Sequence, residues 1–173
     1  MPGQPVCEGW ELRVGGVESG VLAARWWKWA LSAPAGRSPV ADRTGEHAHW
    51  RQPSDVWFLA GTYGGRVERR CTVPVDRPLF FPVLNTQRPA WGLRPEPLRL
   101  PVSLARAELN GIPLMLHQAT SRRFLAVGTP RVAWGLWGLL DPLTPGEYVL
   151  TIQGRADDFC VDTTYHLQAV PLG

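Results

Sequence analysis

A mainly β fold, an antiparallel sandwich or jelly roll carrying one N-terminal amphipathic α-helix, is predicted by three observations. Short apolar runs, several alternating with period two, recur through most of the chain after residue 52. Seventeen prolines and eighteen glycines punctuate them, which suits many turns and argues against a helical bundle. Only one segment, near the start, shows clear helical spacing.

That segment is Glu18 to Ser32, ESGVLAARWWKWALS. Leu22, Trp26, Trp29 and Ala30 recur every three or four residues, the period of one buried face. Ser19 is placed to cap the first amides, Pro34 and Gly36 stop the helix, and Arg25 and Lys28 require solvent. Its tryptophan face is suited to covering a sheet. After a polar loop, Val56 to Ala60 reads as a short apolar strand. Arg66 to Val73 alternates, with Val67, Cys71 and Val73 on one face and Glu68, Arg70 and Thr72 on the other. Gly64-Gly65 between them predicts a hairpin turn. Leu79 to Leu84 is a further buried strand, near an edge or bulge because of Pro82. Arg88 to Pro101 carries four prolines and reads as a surface connection. Asn110-Gly111 predicts a hairpin. Val132 to Leu140, VAWGLWGLL, is ambiguous on composition, and Gly135 and Gly138 weigh against a helix. The last strand alternates most cleanly, with Phe159, Val161, Thr163, Tyr165, Leu167 and Ala169 on one face.

A chain of 173 residues fits a single domain, 1–173, with its core over about 10–170. The net charge is +3, carried by seventeen arginines and the single Lys28. The arginines are spread along the chain rather than gathered into a stripe, so nucleic acid is not an expected partner. No run approaches the roughly 20 apolar residues of a spanning helix, and the first ten residues lack a leader pattern. No membrane association is therefore expected. Cys7, Cys71 and Cys160 are odd in number and far apart, a pattern of a reducing, cytoplasmic setting that leaves a single bridge open.

The runs WWKWALS, VWFLAGTYGG, RRCTVP, LFFPVLN and PLTPGEYVLTIQG…TTYHLQAV resemble a group of bacterial proteins without an established activity. The resemblance covers roughly residues 20 to 170 in order. It implies an all-β sandwich and no particular reaction. It also implies, in exported relatives, a cysteine before the W-F-L-A-G strand that could pair with the one in C-T-V-P, here Cys71. This chain has Gly45-Glu46-His47-Ala48-His49-Trp50 in that place, a departure that favours an intracellular relative. The segment between Phe124 and Val132 is also short against the pattern.

Four constellations could carry chemistry. His47 and His49, two apart, would point the same way on an extended segment and could share a metal ion, with Glu46 or Asp55 supplying a carboxylate. No third ligand is recognisable. Asp55, Arg70 and Asn85 are polar groups on otherwise apolar strands, able to hold a ligand or to close loops as a bonded group. Asp162 and His166 share the polar face of the last strand but sit roughly 13 Å apart along it, as expected of a solvated face. No G-x-S-x-G, P-loop or dinucleotide fingerprint is present.

The nine tryptophans form the fourth. Trp26, Trp29, Trp57, Trp134 and Trp137 fall on apolar faces, while Trp10, Trp50 and Trp91 fall in loops. Together they suggest an apolar pocket lined by Trp26, Trp29, Trp50 and Trp57, with Arg70 and Asn85, for a small organic ligand. Cofactor-free cyclase- or isomerase-type chemistry is the elaboration, with Asp55 or His49 as the acid/base group. The alternatives are a non-catalytic carbohydrate- or protein-binding module and a metal-dependent enzyme using His47 and His49. No cofactor is expected, and either a monomer or a homodimer would serve.

Overall fold

The computed structural model describes residues 13–14, 17–93 and 95–171; Cys7 and Trp10 lie outside them. In chain order the elements are β1 (Arg13–Val14), β2 (Val17–Glu18), α1 (Ser19–Ser32), β3 (Trp57–Phe58), β4 (Gly65–Pro74), β5 (Leu79–Pro89) and β6 (Val102–Leu109). They continue with β7 (Ile112–Pro113), β8 (Leu116–Thr120), β9 (Phe124–Ala126), β10 (Thr129–Leu140), β11 (Gly146–Ala156) and β12 (Phe159–Val170). The expected mainly β sandwich with one helix is what the chain forms.

Two five-stranded sheets face each other. One runs β3-β5-β10-β8, with β9 added to β10; the other runs β4-β12-β11-β6-β7. Pairing is antiparallel except at β3·β5 and β4·β12, which are parallel. The inward side chains of both sheets, among them Phe81, Leu84, Trp134, Leu136, Leu150, Ile152, Tyr165 and Leu167, form the main core.

A third layer lies outside the first sheet. Leu22, Ala23, Trp26, Trp29 and Ala30 of α1 pack with Phe58, Phe80, Ala119 and Trp137 in a second core. The helix thus covers the outer face of one sheet rather than lying across both. It ends because Ala33 precedes Pro34 and is extended, with φ −74° and ψ 133°, as the ring of a following proline requires. The expected Ser19 cap is not formed: Ser19 is the first helical residue, and Glu18 at the cap position makes no side-chain bond to the helix amides.

Two expectations about turns meet different outcomes. Asn110-Gly111 does join β6 to β7, with φ values of 50° and 78°, as a two-residue hairpin turn demands. Gly64-Gly65 is not a hairpin turn. β3 and β4 belong to different sheets, and the residues between them carry the chain from one layer to the other. Pro82 lies on a central strand, at the register shift where β5 meets Leu136 and Trp137. The ambiguous run Val132 to Leu140 is strand β10. Its glycines make room for neighbouring rings: a Cβ on Gly138 would lie 2.1 Å from Cζ of Phe81, and one on Gly135 2.7 Å from Nε1 of Trp137.

Among the described residues no helix is long and apolar enough to cross a membrane.

A candidate ligand groove beside strand β4

Strand β4 is the edge of its sheet, and its parity sorts two kinds of chemistry. Val67, Arg69, Cys71 and Val73 turn toward the core; Glu68, Arg70 and Thr72 turn out. The inward arginine is the unexpected member. Arg69 is 1% exposed and spends its guanidinium on neutral oxygens. Nε donates to the carbonyl of Asp42 at 2.7 Å, Nη2 to Val40 at 3.0 Å, and Nη1 to Ala60, Gly61 and the Tyr165 hydroxyl at 3.1, 2.9 and 2.7 Å. Tyr165 in turn donates to the carbonyl of Ala60. One side chain therefore ties the loop around residues 40–42 and the sheet crossover at 60–61 to the interior of the second sheet.

The loop held this way closes the free edge of β4. The amide of Arg70 donates to the carbonyl of Thr44 at 2.9 Å. Gly45, at φ +98°, lies so close that a Cβ there would sit 2.1 Å from the Arg70 carbonyl oxygen, so only glycine fits. Asp42 shapes the same loop by accepting from the amides of Thr44 and His47. Burial works against its charge, yet those amides and that of Gly45 outweigh it and hold the carboxyl below its usual range.

On the outward side, β4 and β12 run parallel with Arg70 opposite His166 and Thr72 opposite Gln168. Val149 and Glu147 of β11 stand beyond His166 and Gln168. These residues line a groove of about 520 Å³. Nε2 of His166 is 2.6 Å from Oε1 of Glu68, which fixes the imidazole at the groove's edge. No described carboxylate is bonded to Arg70 itself. A second hollow of about 370 Å³ shares Arg70, Cys71 and Thr72 and is bordered by Glu46, His49 and Trp57. Cys71 faces inward between the two. Burial pushes its thiol up to about 12, against the pull of nearby Arg69, so it is not a ready nucleophile at neutral pH.

Of the residues singled out from sequence, His49, Trp57 and Arg70 thus come together. The others are placed elsewhere. Asp55 is not with Arg70 or Asn85; both its oxygens are taken by Arg25 of α1, at 2.9 and 2.6 Å, and that contact lowers its pKa. Asn85 sits on β5 opposite Gly135, its Nδ2 buried with no partner among the described residues. His47 and His49 do not share an extended segment. Residues 46–51 are a run of turns, and His47 borders a different hollow, next to Asp42 and Ala41. Among the described residues no three His, Cys, Asp or Glu side chains are grouped to hold a metal ion.

The tryptophans expected to line a pocket are packed, Trp50 in part. Nε1 of Trp26 donates to the Leu59 carbonyl at 2.9 Å and that of Trp29 to the Trp50 carbonyl at 2.5 Å. Trp26 meets the rings of Trp27, Trp29 and Trp137 edge-on, and Phe80 stacks on Trp137 at 4.8 Å. Trp50 is half-buried, with its Nε1 on the Ser32 hydroxyl and the Arg51 guanidinium over its ring. Trp57 turns inward, its ring covered by Arg77.

Sequence reasoning missed Arg69 and the Glu68–His166 pair. Arg69 had a signal, since it shares parity with Val67 and Cys71. The pair had none, because its members are 98 residues apart.

Comparison with protein-family models, with curated proteins and with solved structures gives no match.

Proposed function

We propose that the protein is a small-molecule-binding β-sandwich that takes an organic anion in the groove between β4, β12 and β11. The observation that carries this reading is Arg70. Its guanidinium stands in a concave, polar site beside His166, with no carboxylate among the described residues bonded to it. A guanidinium in that position offers two parallel N–H donors matched to a carboxylate. Thr72, Gln168 and His166 supply further hydrogen-bonding groups, and Glu147 on the far side accepts from a hydroxyl or ammonium group of the same ligand. The adjoining hollow at His49 gives room for a longer ligand. The packed state of Trp26 and Trp29 supports a structural role for these indoles, which moves the ligand from an apolar pocket to a polar groove. Cys71 and Cys160 are free thiols, which supports a reducing compartment.

Calorimetric titration with citrate, succinate and inorganic phosphate at low salt tests this. At least one should bind saturably. Arg70→Ala should weaken that binding by roughly 10- to 100-fold, the worth of hydrogen bonds to a charged group. Arg70→Lys should fall between, since a point charge keeps attraction but not the two-pronged fit. Because Arg70 points outward, neither change should lower stability by more than about 0.5 kcal/mol. If none of the three binds, or Arg70→Ala binds as the parent does, the reading fails.

A further inference from the structure

The end of the first sheet farthest from Leu140 carries apolar side chains where turn chemistry calls for polar ones. Strands β9 and β10 pair Ala126 with Thr129, leaving Val127-Gly128 as a two-residue hairpin turn. Val127 has φ +50° and Gly128 φ +71°. A β-branched residue in the left-handed region is strained; asparagine, aspartate or glycine is the usual occupant. The Asn110-Gly111 turn of this same chain follows that rule. Val127 nonetheless stands 70% exposed, so little burial offsets the strain. Strain kept at an exposed position points to a use for the side chain displayed there.

Other apolar groups share this end. Ala90 donates its amide to the carbonyl of Pro130, whose strand partner is Leu125, and Arg123 donates to the carbonyl of Gly92. The loop after β5 is thereby held against the β9–β10 hairpin. It presents Trp91, 74% exposed, and Leu93, fully exposed, alongside Leu125. Basic groups surround them: Arg88, Arg122 and Arg123 are exposed. Arg122 and Arg123 also line a hollow of about 660 Å³ at the start of α1, bordered by Ser19, Gly20 and Glu18. Among the described residues here, Arg88, Arg122 and Arg123 outnumber Glu18 and Glu96, which leaves this end net cationic.

We propose that this end docks on the surface of a bilayer rich in anionic phospholipid. Trp91, Leu93, Leu125 and Val127 enter the interface, while Arg88, Arg122 and Arg123 meet lipid phosphates. Protruding apolar tips on separate loops suit insertion between headgroups, an exposed tryptophan suits the interfacial depth, and surrounding arginines are attracted to a negative surface. The contact is peripheral and needs no spanning segment. It also does not rest on the β4 groove.

Cosedimentation of the full chain tests it, using vesicles of phosphatidylcholine alone and vesicles with roughly a third phosphatidylglycerol. The protein should sediment with the mixed vesicles and not with the neutral ones, and salt should release it. Trp91→Ala and the double change Arg122→Ala, Arg123→Ala should each abolish most of the binding. Val127→Asn is the decisive variant. It should raise Tm by about 2–4 °C through relief of the turn, yet reduce vesicle binding on the order of tenfold, the loss of one inserted aliphatic side chain. Failure to sediment with the anionic vesicles overturns the proposal, including the case where these residues serve a soluble partner. So does vesicle binding unchanged in Val127→Asn, or a Tm that falls, which would show Val127 to be kept for packing.

Discussion

Arg69→Met should destabilise the protein by about 3–5 kcal/mol, the range reached when a buried polar network is broken. Methionine fills a similar volume, so the loss is that of the five donated bonds rather than of packing. The carbonyls of Val40, Asp42 and Gly61 and the Tyr165 hydroxyl would lose their Arg69 donor together, and the Ala60 carbonyl would keep only the Tyr165 hydroxyl. Removing the charge also relieves its desolvation, which is why the expected cost stays well below the sum of five charged hydrogen bonds. Arg69→Lys should recover only part, because an ammonium has three donors on one atom and cannot span oxygens from three segments. Urea unfolding checks this. A cost under about 1 kcal/mol would show that the loops are held by other means. Because the same side chain fixes the loop that carries Gly45 and His49, a surviving Arg69→Met protein should also show altered ligand affinity at β4.

Trp26→Ala should cost about as much, 3–5 kcal/mol by the usual range for a large buried aromatic. Trp26 is 1% exposed and sits among Trp27, Trp29 and Trp137, with its indole N–H on the Leu59 carbonyl. Truncation would leave a cavity between α1 and the first sheet and take the indole donor from the Leu59 carbonyl just after β3. The comparison with Trp50→Ala is informative. Trp50 is partly exposed and anchored at the layer's rim, so its truncation should cost about 1–1.5 kcal/mol. Thermal unfolding of both variants separates the two roles. A Trp26→Ala protein as stable as the parent, with lost ligand binding, would mean that Trp26 lines a site instead of building the fold.

The strands were legible because burial of one sheet face imposes period two. In β12, Val161, Thr163, Tyr165, Leu167 and Ala169 are all buried, the face that alternation marks. The helix was legible for the same reason at period 3.6. Which strand pairs with which was not, since alternation carries no partner. Gly64-Gly65 resembles a hairpin turn, yet the strand it leads into finds its neighbour near the end of the chain: Gly65 is registered with Val161. Arg69 was hidden by the ordinary rule that arginine faces water, although its parity placed it inside. The groove was hidden for a different reason. Arg70 comes from β4 and Glu147 and His166 from the hairpin β11–β12 far along the chain, and on each strand taken alone an outward polar residue looks merely solvated. His47 and His49 misled because Asp42 and Gly45 fold their segment into turns, where spacing by two no longer means a shared direction.

The central claim is that ligand chemistry belongs to the polar groove at β4 while the buried indoles build the fold. Nitrogen-15 NMR during a citrate titration addresses it most directly, since indole, guanidinium and imidazole signals are read in one experiment. The side-chain resonances of Arg70 and His166 should shift with saturation, while the indole N–H signals of Trp26 and Trp29 stay in place. Movement of those two indoles with Arg70 and His166 unmoved would contradict the claim and return the binding site to the tryptophan layer.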